Sequence, residues 1–227
     1  LKMQIRQEYY RVKELLDGKR PSRMDLFTYM DDEIYRICVS GSHAKENPFQ
    51  QYLDFLYELG ELSEDEQKLY AGIGREFIQT IETTEMQKVY KMPILYSFYN
   101  HGNIRLAVTD EEVLESWKEF FDTGTNWKDF PNVNTYEDYK KVTDKQHLSK
   151  AKRMPIRFLK ASGKGFFVEK DGYALALRDE IGEVVGNMAF GEQMGDVLGY
   201  RSLEYYRRRY EKADEIGDRK KDIFDFL

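Results

Sequence analysis

Apolar residues recur at helical spacing through most of this chain. Over 2–17, Ile5, Tyr9, Val12, Leu15 and Leu16 fall on one face of a 3.6-residue period, and Gly18 supplies a stop. Ser22 and Asp25 have the spacing of a capping box, with the shorter acid in place of the usual Glu. They predict helices over about 23–30 and 31–39. The polar stretch 40–47, with Gly41, Ser42 and Asn47 ahead of Pro48, predicts a loop. A helix over 48–59 then presents Phe49, Tyr52, Leu53, Phe55, Leu56 and Leu59. Ser63-Glu-Asp-Glu66 is a cleaner capping box. It predicts one long helix to about 82, with Leu69, Ile73, Phe77 and Ile81 at four-residue steps.

The pattern then becomes mixed. Pro93 suits the first turn of a helix over 92–100, His101-Gly102-Asn103 reads as a turn, and 104–108 alternates like a short strand. Thr109-Asp-Glu-Glu112 caps a helix whose inner face is Val113, Leu114, Trp117, Phe120 and Phe121. After a loop over 122–135 come short helices near 136–141 and 145–151, and a third over about 154–161 with Pro155 near its start. Ser162-Gly-Lys-Gly165 is a turn. Phe166–Glu169 and Tyr173–Leu177 flank Asp171-Gly172, a pair suited to the positive φ angles of a two-residue reversal. Glycine-rich helical segments follow over 183–198, then a helix over 201–214 and a charged tail after Gly217.

These elements predict a mainly α (α+β) architecture, a helical bundle with one or two short β-hairpins. A helix feeding a hairpin is the second half of a winged-helix unit. Lys91-Met-Pro-Ile94 and Arg153-Met-Pro-Ile156 each open such a helix–turn–strand run. The expected divisions are a helical segment with a helix-turn-helix-like turn (1–60), a helical subdomain with a short strand (61–124), and a basic helix with a wing-like hairpin and terminal helices (125–227).

With 41% hydrophobic and 15% aromatic residues, the 227-residue chain can bury a true core. Cys38 stands alone, so an internal disulfide or a Cys-rich zinc site has no material. His43, His101 and His147 lie far apart without metal-ligand spacing and read as surface or turn residues; no cofactor is expected. There is no basic-then-apolar leader and no 18-residue apolar run, which predicts a cytoplasmic protein without a membrane span. A start at Leu1 predicts a segment processed or excised from something longer.

Net charge is −6, which by itself argues against general nucleic-acid binding. Its distribution argues otherwise. Residues 54–86 carry nine acids against Lys68 and Arg75, whereas 140–164 carry nine bases against Asp144 alone. Those bases are Lys140, Lys141, Lys145, Lys150, Lys152, Arg153, Arg157, Lys160 and Lys164, and Lys170 follows on the hairpin. They are interleaved with Tyr139, Phe158, Phe166, Phe167 and Tyr173. Cations hold phosphates, and aromatic rings stack on bases or wedge into grooves, so the segment is a candidate nucleic-acid surface. The alternative is that its bases pair with the acids of 54–86 or 111–138. Arg20 and Arg23, flanking a turn into a capped helix, are a second candidate, with a purely structural turn as the alternative. Arg207-Arg208-Arg209 is a third basic spot, or else a solvated helix face. Ser162-Gly-Lys-Gly165 lacks the full phosphate-loop pattern, and carboxylate pairs such as Glu111 and Glu115 read as solvated helix faces.

Three runs carry a family resemblance. They are Arg20-Pro-Ser-Arg-Met-Asp-Leu-Phe-Thr-Tyr-Met30, the stretch from Glu82 through Lys91-Met-Pro-Ile94 to Asn103, and Ala151-Lys-Arg-Met-Pro-Ile-Arg-Phe-Leu159 with the Gly165-Phe-Phe and Gly172-Tyr-Ala-Leu hairpin. Together, over about 9–200, they resemble the C-terminal region of bacterial DEAD/DEAH-box superfamily II helicases, some associated with restriction and phage defence. The resemblance implies a parent that uses ATP to move on or remodel nucleic acid. Its ATPase motifs would lie upstream, in a helicase core of the same polypeptide, and no catalytic residue maps onto this chain. The expected function is an accessory domain that guides DNA or RNA or docks a partner, without catalysis of its own. The rival readings are a protein-interaction module without nucleic-acid contact and, less favoured by the residues, a free-standing hydrolase.

Overall fold

A computed structural model of the protein describes residues 1–213, so the tail expected after Gly217 lies outside the described residues. The architecture is mainly α with one small antiparallel sheet, as the periodicity predicts. The described residues form two compact units, Leu1–Thr83 with Glu183–Tyr200, and Thr84–Gly182 with 201–213. This partition differs from the expected breaks after 60 and 124. The chain leaves the first unit at Thr83 and re-enters it at Glu183, which a reading in sequence order does not anticipate.

In the first unit, α1 (Lys2–Leu15) buries Ile5, Tyr9 and Val12 on the expected stripe. Leu15 is exposed because the chain turns away through Asp17 and Gly18, both at positive φ. α2 (Arg23–Tyr29) opens on the expected capping box: Asp25 N donates to Ser22 Oγ (3.0 Å) and Ser22 N donates to Asp25 Oδ2 (2.8 Å). α3 (Asp32–Val39) follows. The helix expected over 48–59 begins as a 3-10 turn, Pro48–Gln50, before α4 (Tyr52–Leu59). The long helix expected after Ser63 is two helices, α5 (Glu64–Tyr70) and α6 (Ile73–Thr83). Gly72 weakens the interior, and beyond the break Gly74 packs so tightly on Leu69 that an added Cβ would lie 2.1 Å from its Cδ1.

The second unit runs α7 (Lys91–Tyr99), β1 (Ala107–Val108), α8 (Asp110–Asp122), α9 (Tyr136–Lys140) and α10 (Asp144–Ala151). A π-helical turn, Lys152–Ile156, leads into α11 (Arg157–Ser162), then β2 (Phe167–Val168) and β3 (Leu175–Leu177). The sheet order is β1-β3-β2, with Ala107 opposite Ala176 and Phe167 opposite Leu177. Helix, strand, helix, then a helix leading into a hairpin whose second strand lies between the other two is the winged-helix order, with α9 as an insertion. Both Met-Pro-Ile runs therefore feed outer strands of one sheet. Trp117, Phe121, Phe98 and Phe166 are buried in the core of this unit. Full burial of such side chains contributes roughly 1.5–3 kcal/mol each.

Two local expectations change. Pro155 starts no helix; it lies inside a continuous helical rod over 144–162. Proline has no N–H to donate and crowds the preceding turn, and the wider π turn accommodates it. The hairpin reversal is also longer than two residues. Tyr173 N donates to Lys170 O (3.1 Å), and of Asp171 and Gly172 only the glycine has positive φ (81°), the signature of a turn needing glycine at its third position.

The glycine-rich segments expected as separate helices are one helix, α12 (Met188–Ala213), of 26 residues. Its residues to Tyr200 belong to the first unit and those from Arg201 to the second. Within the first unit Phe190, Met194, Val197 and Leu198 are buried at helical spacing, so packing overrides the low helix propensity of the glycines. Among the described residues no helix is long and apolar enough to cross a membrane.

Candidate nucleic-acid interface

The rod over 144–162 is amphipathic along its length. Thr143 caps it: Thr143 N donates to Gln146 Oε1 (2.8 Å) and Gln146 N donates to Thr143 Oγ1 (3.3 Å). His147, Ala151, Pro155 and Leu159 recur every four residues and are buried. Lys145, Ser149, Arg153 and Arg157, offset by two, are exposed. One face thus packs on the core and the other presents cations to solvent.

On the outer face Lys150, Arg153, Met154, Arg157 and Phe158 line a pocket of about 350 Å³. A neighbouring depression shares Lys150 and Arg153 and reaches Lys141 and Lys145. The two form one groove edged by positive charge. Lys150 is half-buried, with Nζ 5.2 Å from the centre of the Tyr90 ring and 3.4 Å from Met154 Sδ. Burial lowers its pKa, and the charge of Arg153 adds to the effect. The Arg157 guanidinium lies 5.8 Å from the centre of the Phe158 ring.

The basic segment divides in two. Lys140 pairs with Glu137 (2.6 Å), Lys141 with Asp138 (3.8 Å), Lys152 with Asp110 (2.6 Å) and Lys160 with Glu169 (2.6 Å). Lys145, Lys150, Arg153, Arg157, Lys164 and Lys170 have no carboxylate within ion-pair distance among the described residues. The Lys160–Glu169 pair joins α11 to the end of β2, so the hairpin starts beside the rod's outer side. At its tip Lys170 Nζ lies 5.2 Å from the centre of the exposed Tyr173 ring. The aromatic residues divide similarly. Phe158 and Tyr173 are exposed, whereas Tyr139, Phe166 and Phe167 are core. Met154, exposed beside Phe158, is a pocket residue that the sequence pattern did not single out.

Arg20 and Arg23 are both held by acids of the first unit, and Arg23 is not at the surface. Arg20 makes a two-pronged pair with Glu66, with Nη2 2.5 Å from Oε1, and donates to Glu61 O (2.9 Å). Arg23 is fully buried and bonded to Glu82, Gln193 and Asp196. A buried guanidinium needs such acids, and the acid-rich stretch 54–86 supplies Glu66 and Glu82. Three of its other acids pair with bases of the same unit: Asp54 with Arg75, Glu58 with Lys2 (2.7 Å) and Glu61 with Lys13 (2.8 Å). The run Arg207-Arg208-Arg209 is matched to Glu211, Glu204 and Asp129 respectively.

His147 is buried rather than on the surface, in edge contact with Phe130 and Tyr139. Burial lowers its pKa, and Lys118 adds to the shift. Burial pushes the Cys38 thiol up to about 12, which leaves it an unreactive thiol. Among the described residues no cluster of three or more His, Cys, Asp or Glu side chains is placed to hold a metal ion. No family model matches the chain, and no match is found among curated proteins or solved structures.

Proposed function

We propose that the second unit binds a nucleic-acid backbone along the outer face of the rod over 144–162, with the following hairpin as a second point of contact. The observation that carries this reading is the set of cations without acidic partners. Lys145, Arg153 and Arg157 stand on one face of one helical rod with Lys150 at its edge. Cations held by nearby carboxylates have little free charge to offer a phosphate, and these are not so held. Lys164 and Lys170 extend the positive surface to the base and tip of the hairpin.

The resemblance to superfamily II helicase C-terminal regions gives the binding a role. This chain would steer a strand for an ATP-driven motor, its own share being contact with the polymer. The motor assignment rests on the sequence likeness alone. The binding reading is tested by fluorescence anisotropy with labelled 20-nucleotide DNA and RNA at low salt. Wild type is expected to bind, and the R153A/R157A double variant to bind at least tenfold more weakly. An absence of binding to every nucleic acid would favour a protein-interaction module.

A further inference from the structure

We infer that the nucleic acid engaged by this groove presents unpaired bases, and that the Phe158 ring stacks on one of them. The inference rests on the binding reading above and deepens it. Backbone contact alone asks for cations and hydrogen-bond donors. It gives no reason for a large apolar side chain to stand in solvent between them. Yet Phe158 is 45% exposed and Met154 38%, in the same pocket as Lys150, Arg153 and Arg157.

Their positions on the rod sharpen the point. Leu159, next to Phe158, is buried, as are Pro155 and Ile156, next to Met154. The rod therefore has its core face filled, and Phe158 and Met154 are not part of it. In the parallel run Lys91-Met-Pro-Ile94 of α7, Met92 is completely buried. The same tripeptide thus packs its methionine inward in one copy and turns it to solvent in the other, beside the free arginines.

The chemistry that fits is a planar, π-faced group flanked by negative charge. An aromatic ring with an arginine over its face offers stacking to the first and ion pairing to the second. In a paired duplex the base faces are already stacked on one another, so a ring must first open a base step, at the cost of unstacking it, whereas an unpaired base is open to it. A single strand of DNA or RNA supplies both parts at every nucleotide.

The test uses the 227-residue chain and four probes of equal length: single-stranded DNA, the same strand as RNA, blunt duplex DNA, and a DNA strand made of abasic sites. Wild type is expected to bind one or both base-bearing single strands at least tenfold more tightly than the blunt duplex or the abasic strand. The tighter of the DNA and RNA strands identifies the source. F158A is expected to weaken single-strand binding by roughly five- to hundredfold, the range of one lost base–aromatic stack, while F158Y retains it. A 2-aminopurine base in the strand should be quenched by wild type and by F158Y but not by F158A. Thermal melts of the variants confirm that the fold is retained, as expected for a half-exposed ring.

Equal binding of duplex and single strand, unchanged by F158A, would overturn this inference and leave backbone recognition standing. Failure of every probe to bind at low salt would overturn both.

Discussion

Arg23 donates to Glu82 Oε1 from both Nε (2.9 Å) and Nη2 (2.6 Å), 59 residues away in sequence, and the two side chains are 0% and 2% exposed. The same guanidinium bonds Gln193 (2.8 Å) and Asp196 (2.9 Å) on α12. One cation therefore ties the start of α2, the end of α6 and the first part of α12 into a single unit. Desolvation raises the pKa of Glu82 despite the arginine, because Glu82 is shut away from water.

Removal of Arg23 leaves buried carboxylates without a counter-charge. Arg23→Ala is expected to destabilise the first unit by roughly 3–5 kcal/mol, read as a lowered midpoint in urea. A loss below about 1 kcal/mol would show that the network is not fully buried in solution.

Substitution of Gly163 should undock the hairpin. A Cβ there would lie 2.4 Å from Phe167 Cδ2 and 2.5 Å from Leu159 O, between α11 and β2. Gly163→Ala is expected to cost about 1–3 kcal/mol by overpacking. It should also raise amide exchange at Phe167 and Leu177, which face each other in the sheet. An unchanged melting temperature would contradict this packing.

His147 sets a pH dependence for the second unit. Its folded pKa is lowered from the ordinary 6.5, chiefly by burial. As pH falls below 6.5 the unfolded chain takes up a proton that the folded chain resists, so stability is complete above that value and declines below it. The paired carboxylates Glu8, Glu66, Asp144 and Glu169 have lowered pKa values and lose their contribution only below their ordinary 3.8–4.5. Glu82 and Asp129, whose pKa values burial raises, favour the fold when they take up protons, so the histidine is isolated by comparing the melting temperatures of wild type and a His147 variant between pH 7.5 and pH 5. Wild type should fall further over this range than His147→Gln. An equal fall in both would place the proton elsewhere.

Much of the fold was legible because its signals are local. The boxes at Ser22–Asp25, Ser63–Glu66 and Thr109–Glu112 all cap helices in the structure, since a cap needs only side chains three residues apart. The wing-like hairpin was legible for the same reason. Arg23 was not, because its role depends on Glu82 and Asp196, 59 and 173 residues away. The single helix α12 was hidden by its glycines, whose propensity says little once Phe190, Met194 and Val197 are buried against the first unit's core. Charge counting found the basic segment but could not sort it. Lys152 and Arg153 are neighbours, and only the first meets a carboxylate, on α8.

That sorting is what the binding account depends on, and a salt titration tests it most directly. The slope of log affinity against log salt for a single-stranded 20-mer counts the phosphates neutralised, at about −0.7 per contact. For R153A/R157A the account predicts weaker binding and a slope shallower by roughly 1.4. K152A/K160A, which removes cations already held by Asp110 and Glu169, should leave the slope near the wild-type value. Equal losses in the two double variants, or a wild-type affinity that does not change with salt, would contradict it.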